Sequence, residues 1–241
     1  MINHYQVCAL IPARGGSKRI PHKNIKELAG KPLLWYTASE AKKSKYIDRC
    51  LLSSDDPEII ELAEKYDVEV PFVRPNELAG DDVTDFPVFE HAVKWLGEHE
   101  EYRPDIIVQL RVTSPLRTVA EIDQAIELLA VNPEADSVRT VAEPEQSPYK
   151  MYRINDRGHL EPVLIVAGLS ESFNLSGQKL PKAYKHVGYV DVMWRRTLVE
   201  KHQMTGSKII PLILQEAHSG INTLQDWERY EFLMQKRLQP R

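Results

Sequence analysis

Residues 7–24 read "VCALIPARGGSKRIPHKN". The opening "VCALIPA" is an uninterrupted apolar run, which predicts a strand buried on both faces, as in a parallel sheet covered by helices. A glycine-rich loop follows at once. Gly15 and Gly16 allow backbone N–H groups to approach a ligand closely. Arg14, Lys18, Arg19 and Lys23 place four cations on this one loop, and Ser17 and Asn24 add neutral donors. An anion with many oxygens fits such a loop, and a triphosphate is the obvious case. The spacing is neither that of a Walker loop nor that of the GxGxxG dinucleotide fingerprint. A solvated basic turn is the plain alternative. The position straight after a buried strand argues against it, because open α/β sheets bind ligands outside the carboxyl ends of their strands.

The same alternation continues down the chain. "PLLWYTASEAKKS", after a turn at Gly30, has apolar residues at helical spacing, and "IDRCLLSS" reads as a second buried strand. Asp55–Asp56–Pro57 gives a helix an acidic start with proline in its first turn. "PEIIELAEKYD" is amphipathic, and "VEVPFVRP" reads as a short strand. "VFEHAVKWLGEH" predicts a helix with Val88, His91, Ala92, Trp95 and Leu96 on one stripe. "DIIVQLRV", "VAEIDQAIELLAVN" and "SVRTVAE" read as strand, helix and strand. From about Pro144 to Lys185 the rhythm breaks: "MYRINDRGHLEPVL" suggests a hairpin around Asn155–Gly158, followed by a loop rich in Ser, Gly and Asn. "GYVDVMW" and "KIIPLIL" return as strands, and "TLQDWERYEFLMQKRLQ" is a final helix with Thr223 as its cap. Strands alternating with helices predict an α/β sheet covered on both faces. A single domain over residues 1–241 is expected, with 144–185 as an insertion that acts as a lid or a dimer contact.

Composition narrows the class. The chain has 241 residues, 42% hydrophobic and 27% charged, with a net charge of −4. That excludes a nucleic-acid binder relying on overall basicity. No apolar run approaches the ~18 residues of a membrane span, and the N-terminus lacks a secretory pattern. The two cysteines, Cys8 and Cys50, sit in strand-like runs and read as core thiols. A cytoplasmic location is expected.

Beyond the loop, Asp55, Asp56, Asp81 and Asp82 resemble a metal cluster, although Asp55 and Asp56 suit a helix N-terminus better. His91 reads as packed rather than as a base. Trp35, Trp95 and Trp227 read as core. Arg117 and Lys182 are read either as site residues or as surface salt-bridge partners.

The run from 11 to 24 resembles the N-terminal signature of the acylneuraminate cytidylyltransferase family, which includes CMP-sialic acid synthetases. The likeness continues in order through "LLSSDDPEI", "VRPNELAGDD", "RVTSPLRT", "SPYK", "QKLPKAY" and "VGYVDV". It implies the nucleotide-diphospho-sugar transferase α/β fold, Rossmann-like, with a mixed, mainly parallel sheet. It implies a homodimer and a reaction of CTP with a small sugar acid, giving a CMP-sugar and pyrophosphate, with neither nucleic acid nor membrane as partner. By the same resemblance Arg14, Lys18 and Lys23 are catalytic, stabilising charge on the α-phosphate and the leaving pyrophosphate. Ala13, Gly15, Gly16, Ser17, Asn24 and Arg74 bind the nucleotide. Thr113, Ser114, Lys150, Gln178 and Lys182 serve the sugar.

Two departures bear on the substrate and the metal. Relatives carry a late "DID" whose carboxylates hold Mg²⁺. Here "GINTLQDW" puts Gly220 and Asn222 in their place, leaving Asn222, with Asp226 as a substitute one helical turn on, as the expected magnesium ligands. Relatives also read "QPTSPLR" where this chain reads "RVTSPLR". Arg111 is therefore expected to read an anionic group on the second substrate, with Asp81 or Asp85 as structural partners in the alternative. A sugar-1-phosphate guanylyl- or cytidylyltransferase is a rival reading, and a non-catalytic nucleotide-sugar-binding protein is another.

Overall fold

The computed structural model describes residues 2, 4–215 and 218–238. In chain order the strands are β1 (Val7–Pro12), β2 (Glu27–Leu28), β3 (Lys31–Pro32), β4 (Arg49–Ser53), β5 (Ile106–Gln109), β6 (Ser137–Ala142), β7 (Tyr152–Ile154), β8 (Leu160–Pro162), β9 (Lys185–Trp194) and β10 (Ile209–Ile213). The α-helices are α1 (Leu33–Lys42), α2 (Pro57–Lys65), α3 (Asp85–His99), α4 (Val119–Ala130), α5 (Arg195–Val199) and α6 (Leu224–Leu238). The backbone divides into two compact units. One is Met1–Thr140 with Val187–Leu212 and His218–Arg241, and the other is Val141–His186 with Ile213–Ala217. The segment 144–185 falls within the second.

The main sheet has six strands in the order β10-β6-β9-β5-β1-β4. β1 pairs in parallel with β4 and with β5, whereas β9 runs antiparallel to β5. The sheet is therefore mixed, as expected. Residues 7–11 of β1 are buried, as a strand with neighbours on both sides and helices above and below must be.

Local chemistry starts and stops the elements. The Asp56 side chain accepts from the Glu58 and Ile59 amides and caps α2, with Pro57 just inside. Thr118 and Glu121 form a reciprocal capping box at α4. The β2–β3 ribbon turns through Ala29 and Gly30, at φ 46° and 80°. Two consecutive positive φ values make a tight hairpin that suits the right-handed strand twist, and glycine takes the second without strain.

Three expectations are corrected. "VEVPFVRP" forms no strand; it contributes one parallel bridge, Leu51 to Glu69, because Pro71 and Pro75 lack the N–H groups a ladder needs. The buried stripe of α3 is Val88, Phe89, Ala92, Val93 and Leu96. His91 and Trp95 lie at its border, where His91 meets the Phe72 ring edge-on at 4.9 Å between centroids. Trp227 is core, but Trp35 and Trp95 are only half-buried.

In the second unit β7 and β8 form the expected hairpin. Asn155 closes it, its amide donating to the His159 carbonyl at 2.9 Å.

Candidate active site

Because β1, β4 and β5 are parallel, their carboxyl ends share one edge. Pro12 lies opposite Ser53, and Leu10 opposite Gln109. The loops after residues 12, 53 and 109 therefore leave the sheet side by side. The ladder runs on one residue further, with the Ala13 amide donating to Ser53 O at 3.0 Å.

The basic loop is held at several points. Ile20 is fully buried. Asn24, also buried, donates from Nδ2 to Arg14 O at 2.9 Å. The Gly15 amide donates to Asp55 Oδ1 at 3.1 Å. A Cβ on Gly15 would fall onto the Asp56 side chain, so glycine is needed here for a close approach to the α2 cap. A Cβ on Gly16 would meet only the end of the Arg14 side chain, at 3.9 Å. Asp55 and Asp56 thus fix the loop and the helix rather than gathering as metal ligands.

A cavity of about 510 Å³ opens at this edge. Arg14, Lys18, Arg19, Lys23, Arg74 and Arg111 line it, facing, among the described residues, two carboxylates, Asp81 and Asp85. Ser17, Asn24, Thr113 and Asn222 supply neutral polar atoms, and Leu78, Val83, Val88 and Val112 make an apolar wall. A second depression, bordered by Gly15 and Gly16, continues along the loop.

Each cation has a distinct setting. Arg14 donates to Ala79 O at 3.0 Å and pairs with Asp81 at 2.6 Å; Lys18, largely exposed, pairs with Asp81 as well. These two partners hold the Asp81 carboxyl below the usual carboxylate range. Lys23 donates to Ile221 O at 3.1 Å. Burial first, then the nearby Arg14 and Arg19, hold its ammonium below the ordinary lysine value, and Asp226 partly offsets them. Arg74 is buried against the end of β4, donating to Ser53 Oγ at 3.0 Å and Ser53 O at 2.6 Å. Burial pushes its pKa down to about 10.

Arg111 is tied on two sides. It reaches Asp85 at 2.6 Å and Asp191 at 3.1 Å. Burial opposes its charge, but the two carboxylates outweigh that and raise its pKa. Asp85, one of the two structural partners expected for it, is present; Asp81 instead serves the basic loop.

The other sequence-derived residues fall elsewhere. Ala13 and Ser114 are buried beneath the cavity, with Ser114 Oγ donating to Gly188 O at 3.3 Å. Lys150, Gln178 and Lys182 belong to the second unit, where Gln178 and Lys182 are exposed. Arg117 is not a surface ion-pair residue. It is fully buried and donates to Arg111 O, Tyr189 O and Thr37 Oγ1 at 3.1, 2.6 and 2.8 Å.

The residues present do not build a magnesium cage. Asp226 Oδ2 accepts from the Asn222 and Thr223 amides at 2.9 and 2.8 Å and from the Thr223 hydroxyl at 2.9 Å. That is a helix cap, with Thr223 Oγ1 accepting the Asp226 amide in return at 3.1 Å. The Asn222 amide nitrogen donates to Gly220 O at 3.0 Å. Among the described residues no group of three or more His, Cys, Asp or Glu side chains is arranged to hold a metal ion.

Comparisons with known proteins identify the family. The chain is 34% identical over 179 residues to the pseudaminic acid cytidylyltransferase of Campylobacter jejuni, covering 74% of each chain. It is 29% identical over 234 residues to the CMP-N,N'-diacetyllegionaminic acid synthase of Legionella pneumophila, covering 95% of this chain and 97% of that one. In fold it is similar to a CMP:2-keto-3-deoxy-manno-octonic acid synthetase solved with CTP, at a TM-score of 0.72 and 16% identity over 97% of this chain and 100% of that chain. Residues 8–157 match the family model described as cytidylyltransferase. With its basic loop, its parallel strand ends and its cavity all inside that span or beside it, the chain belongs to the cytidylyltransferase family.

Proposed function

We propose that this enzyme transfers a cytidylyl group from CTP to the anomeric hydroxyl of a sialic acid-like sugar acid, releasing pyrophosphate. The observation that carries this reading is the cavity at the strand ends, where six basic side chains face two acidic ones. That excess matches a triphosphate, and the apolar wall offers a surface for a base. Relatives named for pseudaminic and diacetyllegionaminic acids supply the acceptor class.

In this reading the acceptor hydroxyl attacks the α-phosphorus in line and pyrophosphate leaves. The protein positions the reactants and stabilises charge. Arg14, Lys18 and Lys23 hold the phosphates, with Gly15, Gly16, Ser17 and Asn24 shaping the loop around them. Arg74 and Ala13 set the floor. Arg111 and Thr113 lie toward the acceptor, with Ser114 supporting the turn from below. Magnesium, if bound, would be held mainly by the triphosphate and would offset its charge, since the described residues form no carboxylate cage for it.

The second unit is proposed as the contact with another copy of the chain. Ile154, Leu160 and Ile165 expose 72%, 66% and 71% of their surface, an apolar display that a dimer would cover. The family resemblance assigns Lys150, Gln178 and Lys182, all in the second unit, to the sugar. Dependence on CTP and two free thiols suit the cytoplasm, and no helix among the described residues is long and apolar enough to cross a membrane.

The test is pyrophosphate release from CTP, GTP, UTP and ATP, each with Mg²⁺ and a panel of 2-keto sugar acids and sugar 1-phosphates. Release with CTP and a sugar acid is expected. Release with sugar 1-phosphates alone would overturn the reading. Light scattering at micromolar protein should give twice the chain mass; a monomer rules out the dimer.

A further inference from the structure

The face of the sheet beneath α3 changes character over one pleat. In the antiparallel β5–β9 pair, Ile107 lies opposite Met193, and Gln109 opposite Asp191. Directly opposed residues share a face, as do residues two apart in a strand. Ile107 and Met193 pack in an apolar cluster with Val88 and Phe89 of α3. One step nearer the edge, the same face carries an amide and a carboxylate, both buried. An interior that turns polar just where it meets a cavity is arranged for a polar occupant.

The buried Asp191 is shared by two guanidinium groups, Arg111 at 3.1 Å and Arg139 at 3.2 Å. Arg139 comes from β6, on the far side of β9 from β5. Its neighbour Thr140 locks the two strands together: the Thr140 hydroxyl donates to Val190 O at 2.9 Å and accepts the Tyr189 and Val190 amides at 3.1 Å. Arg139 is therefore well placed rather than a mobile surface side chain. Its side chain keeps 30% of its surface exposed, and its Nε is buried without a hydrogen-bond partner. A buried donor with nothing to donate to is uncommon in a folded protein.

We infer that Arg139, held beside Arg111 through Asp191, is a specificity-determining residue that binds the carboxylate of the acceptor sugar acid. This deepens the proposed function and rests on it. The basic loop leaves β1, so in this reading the acceptor lies toward β9 and β6: Arg111, just past β5, lines the cavity, and Arg139 stands on β6. Asp191 fixes both guanidinium groups and accepts from each, and Arg139 Nη1, which unlike Nε is not buried, is left to donate to a ligand. A planar guanidinium so oriented suits a carboxylate, through charge-assisted hydrogen bonds.

The experiment compares wild type, Arg139→Gln and Arg139→Lys with the acceptor that supports wild-type turnover, and with the methyl ester of that acceptor. Arg139→Gln should raise KM for the free acid tenfold or more, with KM for CTP within twofold. Arg139→Lys, which keeps the charge beside Asp191, should melt like wild type and recover part of the loss. The ester should be a poor substrate for wild type and no worse for Arg139→Gln. An unchanged KM for the acid, an equal rise for acid and CTP, or an ester penalty that persists in the variant would each overturn the inference. Absence of wild-type turnover with CTP and every 2-keto sugar acid would overturn the functional reading itself, a result distinct from any of these.

Discussion

Asp81 stands 2.6 Å from Arg14, setting a carboxylate against a cation of the basic loop. It also pairs with Lys18. Two of the loop cations thus share one carboxylate, which offsets part of their charge. The pairs are exposed enough to be screened and exchanged readily.

Replacing Asp81 by Asn should therefore tighten CTP binding by about two- to fivefold at low salt, with the gain shrinking as salt rises. Calorimetric titration with CTP checks this. Weaker binding would mean that Asp81 orients the cations rather than competing for them.

The two glycines of the loop should behave differently although they are adjacent. Gly15→Ala sets a Cβ against the Asp56 side chain, which caps α2. A loss of about 1–3 kcal/mol of stability is expected from such overpacking. Gly16→Ala meets only the tip of Arg14, at 3.9 Å, and should stay within about 0.5 kcal/mol. Denaturant unfolding of the two variants side by side decides it; equal losses would show that the Asp56 contact is not the cause.

Lys23 sets an alkaline limit. Burial, then Arg14 and Arg19, hold its ammonium below the ordinary lysine value. A role that needs the cation is present below the lowered pKa and is lost as pH rises through it. Lys23→Arg, which stays charged at any accessible pH, should move the alkaline limb of the kcat/KM profile upward. Superimposable limbs would remove Lys23 from the charge-stabilising set.

Asp226 should matter for folding more than for metal. Burial works against its charge, but the hydrogen bonds from Asn222 and Thr223 prevail and hold its carboxyl below the usual value. A depressed carboxylate stabilises the fold above its unfolded-state pKa, and that contribution fades as pH falls through the native one. Asp226→Ala should lower stability at neutral pH by about 1–2 kcal/mol, the worth of a cap, while the Mg²⁺ concentration for half-maximal turnover changes less than twofold. A tenfold greater need for Mg²⁺ would make Asp226 a ligand after all.

Much of this is legible in the sequence because it is local. A continuous apolar run followed by glycines and cations marks β1 and its loop, and Asp56–Pro57 and Thr223 announce the helices they begin. The partners of Arg111 are a different matter. Asp85, 26 positions away at the start of α3, is one of the partners the sequence suggests, but Asp191 lies 80 away and only the pairing of β5 with β9 brings it to Arg111. Arg139 carries no local signal, since an arginine on a strand looks the same whether it meets solvent or a buried aspartate. Arg117 misleads for a related reason: the carbonyls that satisfy it belong to the loop after β5 and to β9, and no neighbouring residue reports them. The strand expected at 68–75 fails because two prolines outweigh its apolar composition.

The setting of Cys8 and Cys50 has a practical side. Both thiols are free, and burial pushes the Cys50 pKa up to about 12 and that of Cys8 higher still. At neutral pH neither ionises appreciably, and the thiolate is the reactive form. Reagents should pass the buried Cys8 by and meet the half-buried Cys50 only slowly, so a cysteine introduced on the exposed face of the protein would be the one that takes a fluorophore first. Distances between the basic loop and any labelled point can then be followed in solution on the otherwise native chain.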